Sequence, residues 1–217
     1  MSQPAGPRTK PLLRGVSHEI AAFLAAPASL ALVASARSTE AQVGAATYGA
    51  SLFGLFLTSA VFHRPTWSQR ARRILARFDN SAIFLLIAGT YTPICLIVGG
   101  ALRTGLLATV WIGALLGIAL TIAWESPPKP LMAGIYVLLG WVFIPATARL
   151  QAALGTRAVV LVVVGGLVYT LGAIVYALRR PDPYPRVFGY HEIFHALVVG
   201  AAVCHFLAVR DAIRALG

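Results

Sequence analysis

Apolar residues come in seven long runs separated by short polar connections: Ile20–Ala36, Val43–Phe62, Ala82–Val98, Leu106–Trp124, Leu131–Ala148, Val159–Leu178 and Phe188–Val209. Each has about the length a helix needs to cross a hydrocarbon core of about 30 Å. The pattern therefore predicts an all-α fold, a bundle of seven transmembrane helices. Because the runs account for most of the chain, residues 1–217 are expected to be one membrane domain, with 1–14 as a short, disordered basic tail. At 58% hydrophobic and 12% charged residues, the composition excludes an ordinary soluble domain.

The net charge of +11 would point to nucleic acid in a soluble protein. Here the basic residues lie in the connections, where they report topology instead. A cytoplasmic N-terminus puts twelve of them inside: Arg8, Lys10, Arg14, Arg64, Arg70, Arg72, Arg73, Arg77, Lys129, Arg179, Arg180 and Arg186. Six are left outside: Arg37, Arg103, Arg149, Arg157, Arg210 and Arg214. This bias predicts a multi-pass protein of the cell membrane with an external C-terminus. Its expected partners are membrane lipids, not nucleic acid.

The first run follows basic residues and ends in Ala34-Ser35-Ala36, which imitates a cleavable signal. Its polar opening, Ser17-His18-Glu19, and its span-like length argue for a retained helix. Gly113 and Gly117 in the fourth run have the spacing that lets helices approach closely. The fifth and sixth runs carry no ionisable side chain in their middles and read as scaffold. Cys95 and Cys204 read as small apolar packers, and two cysteines make no disulfide framework.

Polar residues interrupt the pattern at one depth. His191 and His195 open the last run, four residues apart and so on one helix face, where both imidazoles can meet one ion. The alternative is a pair of interfacial histidines bonded to water or carbonyls. Ser59 and His63 share the same spacing at the end of the second run, and Asp79 begins the third. Alternation of the spans brings all five to the cytoplasmic side.

Three imidazoles suit zinc and leave a fourth position for water, the arrangement of a catalytic site. Asp79 is placed to accept a proton from that water, whose pKa the metal lowers to about 7. It would also serve as an ordinary helix N-cap. Ser59 is placed to donate a hydrogen bond to the water or to an oxyanion, although its hydroxyl could equally bond a carbonyl one turn below. His205, ten residues beyond His195, lies about 15 Å further along the helix and reads as a core polar contact. His18, at the cytoplasmic end of the first run, is placed where it could approach the site, but reads first as an interfacial histidine. His191 to His195 also spells the H-E-x-x-H of zinc peptidases, which would make Glu192 the base.

Three blocks together resemble the hemolysin III family, the bacterial branch of the progestin and adipoQ receptor superfamily. They are Ser59-x-x-x-His63, Phe78-Asp79-Asn80-Ser81-Ala82-Ile83-Phe84 with Ala88-Gly89-Thr90-Tyr91-Thr92-Pro93, and Phe188-Gly189-Tyr190-His191-Glu192-Ile193-Phe194-His195. The resemblance implies a seven-helix bundle with zinc held near the inner face by His63, His191 and His195, and Ser59 and Asp79 beside them. It also brings in alkaline ceramidases and receptors with lipid amide hydrolase activity, while the bacterial branch takes its name from a haemolytic effect. Glu19 stands where the family pattern has a glycine, which leaves the part played by His18 open.

The first functional expectation is a zinc-dependent hydrolase of a lipid amide or ester. The second is a receptor or membrane-state sensor with structural zinc. A lytic pore is disfavoured, because the spans lack the polar stripe of a wide channel.

Overall fold

A computed structural model describes residues 10–217. Its elements are α1 (Val16–Ser35), α2 (Thr39–His63), α3 (Gln69–Val98), α4 (Gly100–Ala123), α5 (Lys129–Gly140), a 3-10 turn (Ile144–Ala146), α6 (Thr147–Leu178) and α7 (Tyr190–Ala215). The architecture is all-helical among the described residues. Among the described residues, six helical segments are long and apolar enough to cross a membrane, with Lys129–Leu178 counting as one of them.

Within that segment the chain is not one straight helix. With twelve residues, α5 rises about 18 Å, and the chain then turns through Trp141–Ala146. The Tyr91 hydroxyl accepts from the Phe143 N–H and donates to the Gly140 carbonyl, both at 2.8 Å, so the turn's backbone is satisfied inside the protein. Gly155, with φ +77°, bends α6 a second time. Lys129 lies 4.3 Å above the Tyr176 ring, and the Trp141 indole N–H donates to Thr170 at 3.0 Å. Residue numbers that rise along α5 meet falling numbers on α6, so these stretches run antiparallel.

Local chemistry sets the other boundaries. Ser38 caps α2 by accepting from the Ala41 N–H, and Ser68 caps α3 through Ala71. Gly99, at φ +66°, turns α3 into α4 in a single residue. Pro93 frees the Gly89 carbonyl inside α3. The Thr90 and Thr92 hydroxyls bond the carbonyls of Leu86 and Ala88, both just before it in the helix.

Side chains divide as lipid immersion requires. Phe23 (77% exposed) and Leu138 (75%) face outward, while Tyr48 and Phe84 are fully buried. Both candidate small-residue contacts in α4 are real. A Cβ on Gly117 would sit 2.2 Å from the Phe84 ring, and one on Gly113 would lie 2.7 Å from a Leu139 methyl. Gly117→Ala is therefore expected to cost about 1–3 kcal/mol by overpacking α3 against α4. The check is its unfolding midpoint in detergent, set beside that of an alanine at Gly54, where a Cβ meets nothing within 4 Å.

Two sequence expectations need correction. Helix α3 begins at Gln69, so Asp79 lies well inside it and is not its N-cap; the arginine-rich stretch after His63 is mostly helix. Part of the expected tail is ordered: Leu12 and Leu13 donate backbone bonds to the carbonyls of Arg186 and Val187 at 3.0 and 3.2 Å. Met1 to Thr9 lie outside the described residues.

Candidate metal centre

Helices α2, α3 and α7 meet where α2 ends and α7 begins. His63 is the last residue of α2, and His191 and His195 occupy the first two turns of α7. Two amides at the entry to α7 are satisfied by side chains. Asp182 accepts from the Tyr190 N–H at 3.0 Å, and Glu192 accepts from the Gly189 N–H at 2.8 Å. This half of a capping box fixes the helix start, and with it the direction of both histidines.

One nitrogen from each of His63, His191 and His195 lies within 4.8 Å of the others, and all three residues are buried. The Nε2 atoms of His63 and His191 are 3.2 Å apart. Nitrogens about 2.0–2.1 Å from a tetrahedral ion would be separated by about 3.3–3.4 Å, so this edge already fits. Small ring rotations bring in His195, whose buried Nδ1 has no hydrogen-bond partner among the described residues. The donor set fits zinc: three imidazole nitrogens and no thiol. Cys95 and Cys204 are free and lie elsewhere.

Asp79 joins the same point from α3. Its Oδ2 is 3.4 Å from His63 Nε2, the nitrogen that faces His191, so the carboxylate stands on the inner side of the cluster. Ser59, 2% exposed, lies one turn before His63. Ser59, Asp79, His191 and His195 all line a cavity of about 140 Å³. The cavity continues between α3, α5, α6 and α7 along Ile83, Ile87, Val137, Ala173 and Val198 as far as His205. It joins a polar end to an apolar interior.

His18, expected at the interface, is 3% exposed and lies against the histidine cluster. Its ring stacks on His195 with centroids 3.9 Å apart and planes 6° apart. Lone pairs in nearly parallel planes do not converge on one ion, so His18 stands beside the ligand set and not in it. Its position at the start of the first run, at the depth of the other histidines, was the available signal. His205 is the core contact expected, with Nε2 3.1 Å from the Val162 carbonyl.

Glu192 is not free to act as a peptidase base. It is 3% exposed, and while one oxygen caps α7, the other accepts from Arg14 Nε at 2.5 Å. Arg14 escaped sequence reasoning because the basic stretch around it carries no apolar period.

The family model described as "Haemolysin-III related" matches residues 7–206. The chain is 34% identical to "Hemolysin-3" of Bacillus cereus over 202 residues, which is 91% of this chain and 89% of that protein. It is 32% identical to "Hemolysin-3 homolog" of Bacillus subtilis (strain 168) over 202 residues, 91% of this chain and 92% of the other. A more distant relative, "Adiponectin receptor protein" of Drosophila melanogaster, is 30% identical over 193 residues, 74% of this chain and 42% of the receptor. With a matching model over most of its length and relatives this similar across nine-tenths of the chain, the protein belongs to the hemolysin III family, a multi-pass membrane family within the progestin and adipoQ receptor superfamily.

Proposed function

We propose that the protein is a zinc-dependent hydrolase acting on an amide or ester bond of a membrane lipid. One observation carries this reading: three imidazoles and a carboxylate converge, and His191, His195 and Asp79 of that group line one end of a largely apolar cavity inside a membrane bundle. Bound by His63, His191 and His195, zinc would supply a Lewis acid and lower the pKa of a water molecule to about 7. Asp79 would take the proton from the attacking water on its inner oxygen and return it to the leaving amine or alkoxide. The Ser59 hydroxyl would donate to the carbonyl oxygen as negative charge develops there. Apolar side chains beyond the site would hold the lipid tail and keep bulk water out. Turnover of labelled ceramide-like and glycerolipid substrates by zinc-loaded protein in nanodiscs tests the reading and separates amide from ester.

A receptor or sensor with structural zinc is the second reading. The near-complete burial of His195, 2% exposed, favours it, and one relative is named as a receptor. Loaded protein that hydrolyses none of these lipids would shift the assignment to this reading. A narrow cavity of about 140 Å³ does not favour a lytic pore.

Seven crossings with a cytoplasmic N-terminus complete the proposal, residues 1–217 forming one membrane domain. Two features support an odd number. The stretches of α5 and α6 run antiparallel, and the ends of the described chain lie at opposite ends of the bundle. Lys10 bonds the Arg64 carbonyl beside the histidines, whereas the Gly217 carbonyl accepts from Arg37 and Ser38 at the α1–α2 turn. A reporter fused after Gly217 should therefore read as external, and one inserted in Pro65–Ser68 or Arg179–Arg186 as cytoplasmic. A cytoplasmic reading after Gly217 would remove the seven-crossing arrangement.

A further inference from the structure

His63, His191 and His195 are 8%, 9% and 2% exposed. A hydrated ion cannot reach nitrogens so enclosed unless some part of the wall moves, so a metal site here needs an entry path. Most of the wall is helix packed on helix. One exception, lying against the loop that leads into α7, is the segment from Lys10 to Gly15, which precedes α1 and crosses between the end of α2 and the start of α7. It is held by few bonds. Leu12 and Leu13 donate to the Arg186 and Val187 carbonyls, and Lys10 Nζ reaches the Arg64 carbonyl at 2.5 Å. Gly15, at φ +80°, lies so close to His63 that a Cβ on it would come within 2.7 Å of the His63 Cβ.

Arg14 is the strongest of these ties. Its guanidinium bonds Glu192, the residue that follows His191, and Glu192 in turn caps the helix carrying two of the three histidines. We propose that residues 10–15 are a latch over the loop-facing side of the three-histidine site, held shut by the Arg14–Glu192 pair, and that metal enters and leaves when the latch opens. The inference rests on reading the three histidines as a metal site. It gives Glu192 of the H-E-x-x-H sequence a task other than proton transfer.

A cover obstructs entry and exit alike, so loosening it changes both rates and not their ratio. Zinc uptake and zinc loss to a chelator would be followed in purified wild type, Arg14→Ala, Arg14→Lys and Glu192→Gln. Glutamine still accepts from the Gly189 N–H but removes the charge from the pair. Arg14→Ala and Glu192→Gln should speed uptake and loss by the same factor, about 10–100-fold for a lost charge-assisted hydrogen bond, with equilibrium affinity unchanged. Arg14→Lys keeps the charge and should stay near wild type. Amide deuteration gives a readout that needs neither metal nor a stable variant. Leu12 and Leu13 should exchange slowly in wild type and fast in Arg14→Ala. Rapid exchange of these amides in wild type would overturn the latch. So would unchanged metal kinetics in Arg14→Ala, or weaker binding with unchanged uptake, which would make Arg14 a positioning residue. If the protein takes up no zinc, the metal reading fails and the gating role with it, while deuteration still reports whether Arg14 holds the segment shut.

Discussion

Asparagine at position 79 is expected to leave fold and zinc content intact while lowering lipid hydrolysis about 10²–10⁴-fold, the loss associated with a positioned acid or base. Asp79 lies in the eleventh position of α3, whose cap is Ser68, so the substitution disturbs no helix end. Its carboxylate faces the histidine cluster 3.4 Å from His63 Nε2. Asparagine keeps the size and a hydrogen-bonding oxygen but cannot take a proton from water. The fall should therefore appear in kcat, with KM little changed. Ser59→Ala should lower kcat by about 10²–10³-fold if its hydroxyl meets the oxyanion. The measurement is turnover of labelled lipid amides and esters at matched zinc occupancy. Full activity in Asp79→Asn would remove Asp79 as the base.

Replacing His63 with alanine should take the purified protein from about one zinc per chain to almost none, and His191→Ala and His195→Ala should do the same. An open catalytic site has three protein ligands, so losing one leaves too few to hold the ion. His18→Ala and His205→Ala are the controls, because His18 stacks parallel to His195 and His205 bonds the Val162 carbonyl. Both should keep their zinc. Wild-type zinc in His63→Ala, measured by elemental analysis after size exclusion, would show that a ligand has been misassigned.

The membrane-spanning character was legible because lipid demands long uninterrupted apolar runs, and the same runs place Ser59, His63, Asp79, His191 and His195 at one depth. Helix boundaries were less legible. Gln69 to Arg77 is amphiphilic and rich in arginine, so hydropathy alone started the third helix near Asp79, whereas the Ser68 cap starts it ten residues earlier. The fifth run looked like a plain span, but Tyr91 from α3 satisfies the backbone of a turn inside it, a tertiary contact with no local signature. The contact of His18 with His195 is hidden for a similar reason: depth along a helix can be counted from the sequence, but which face meets a neighbour cannot. Arg14 shows the limit most clearly, since only the fold reveals that a basic residue in a polar tail is paired with a buried glutamate on α7.

X-ray absorption at the zinc edge, on protein carrying one ion per chain, tests the metal centre most directly. The account predicts three imidazole nitrogens at about 2.0–2.1 Å, one further light atom and no sulfur. The imidazole count should fall in any His63→Ala protein that is forced to load. A sulfur shell, or three imidazoles that persist without His63, would contradict it.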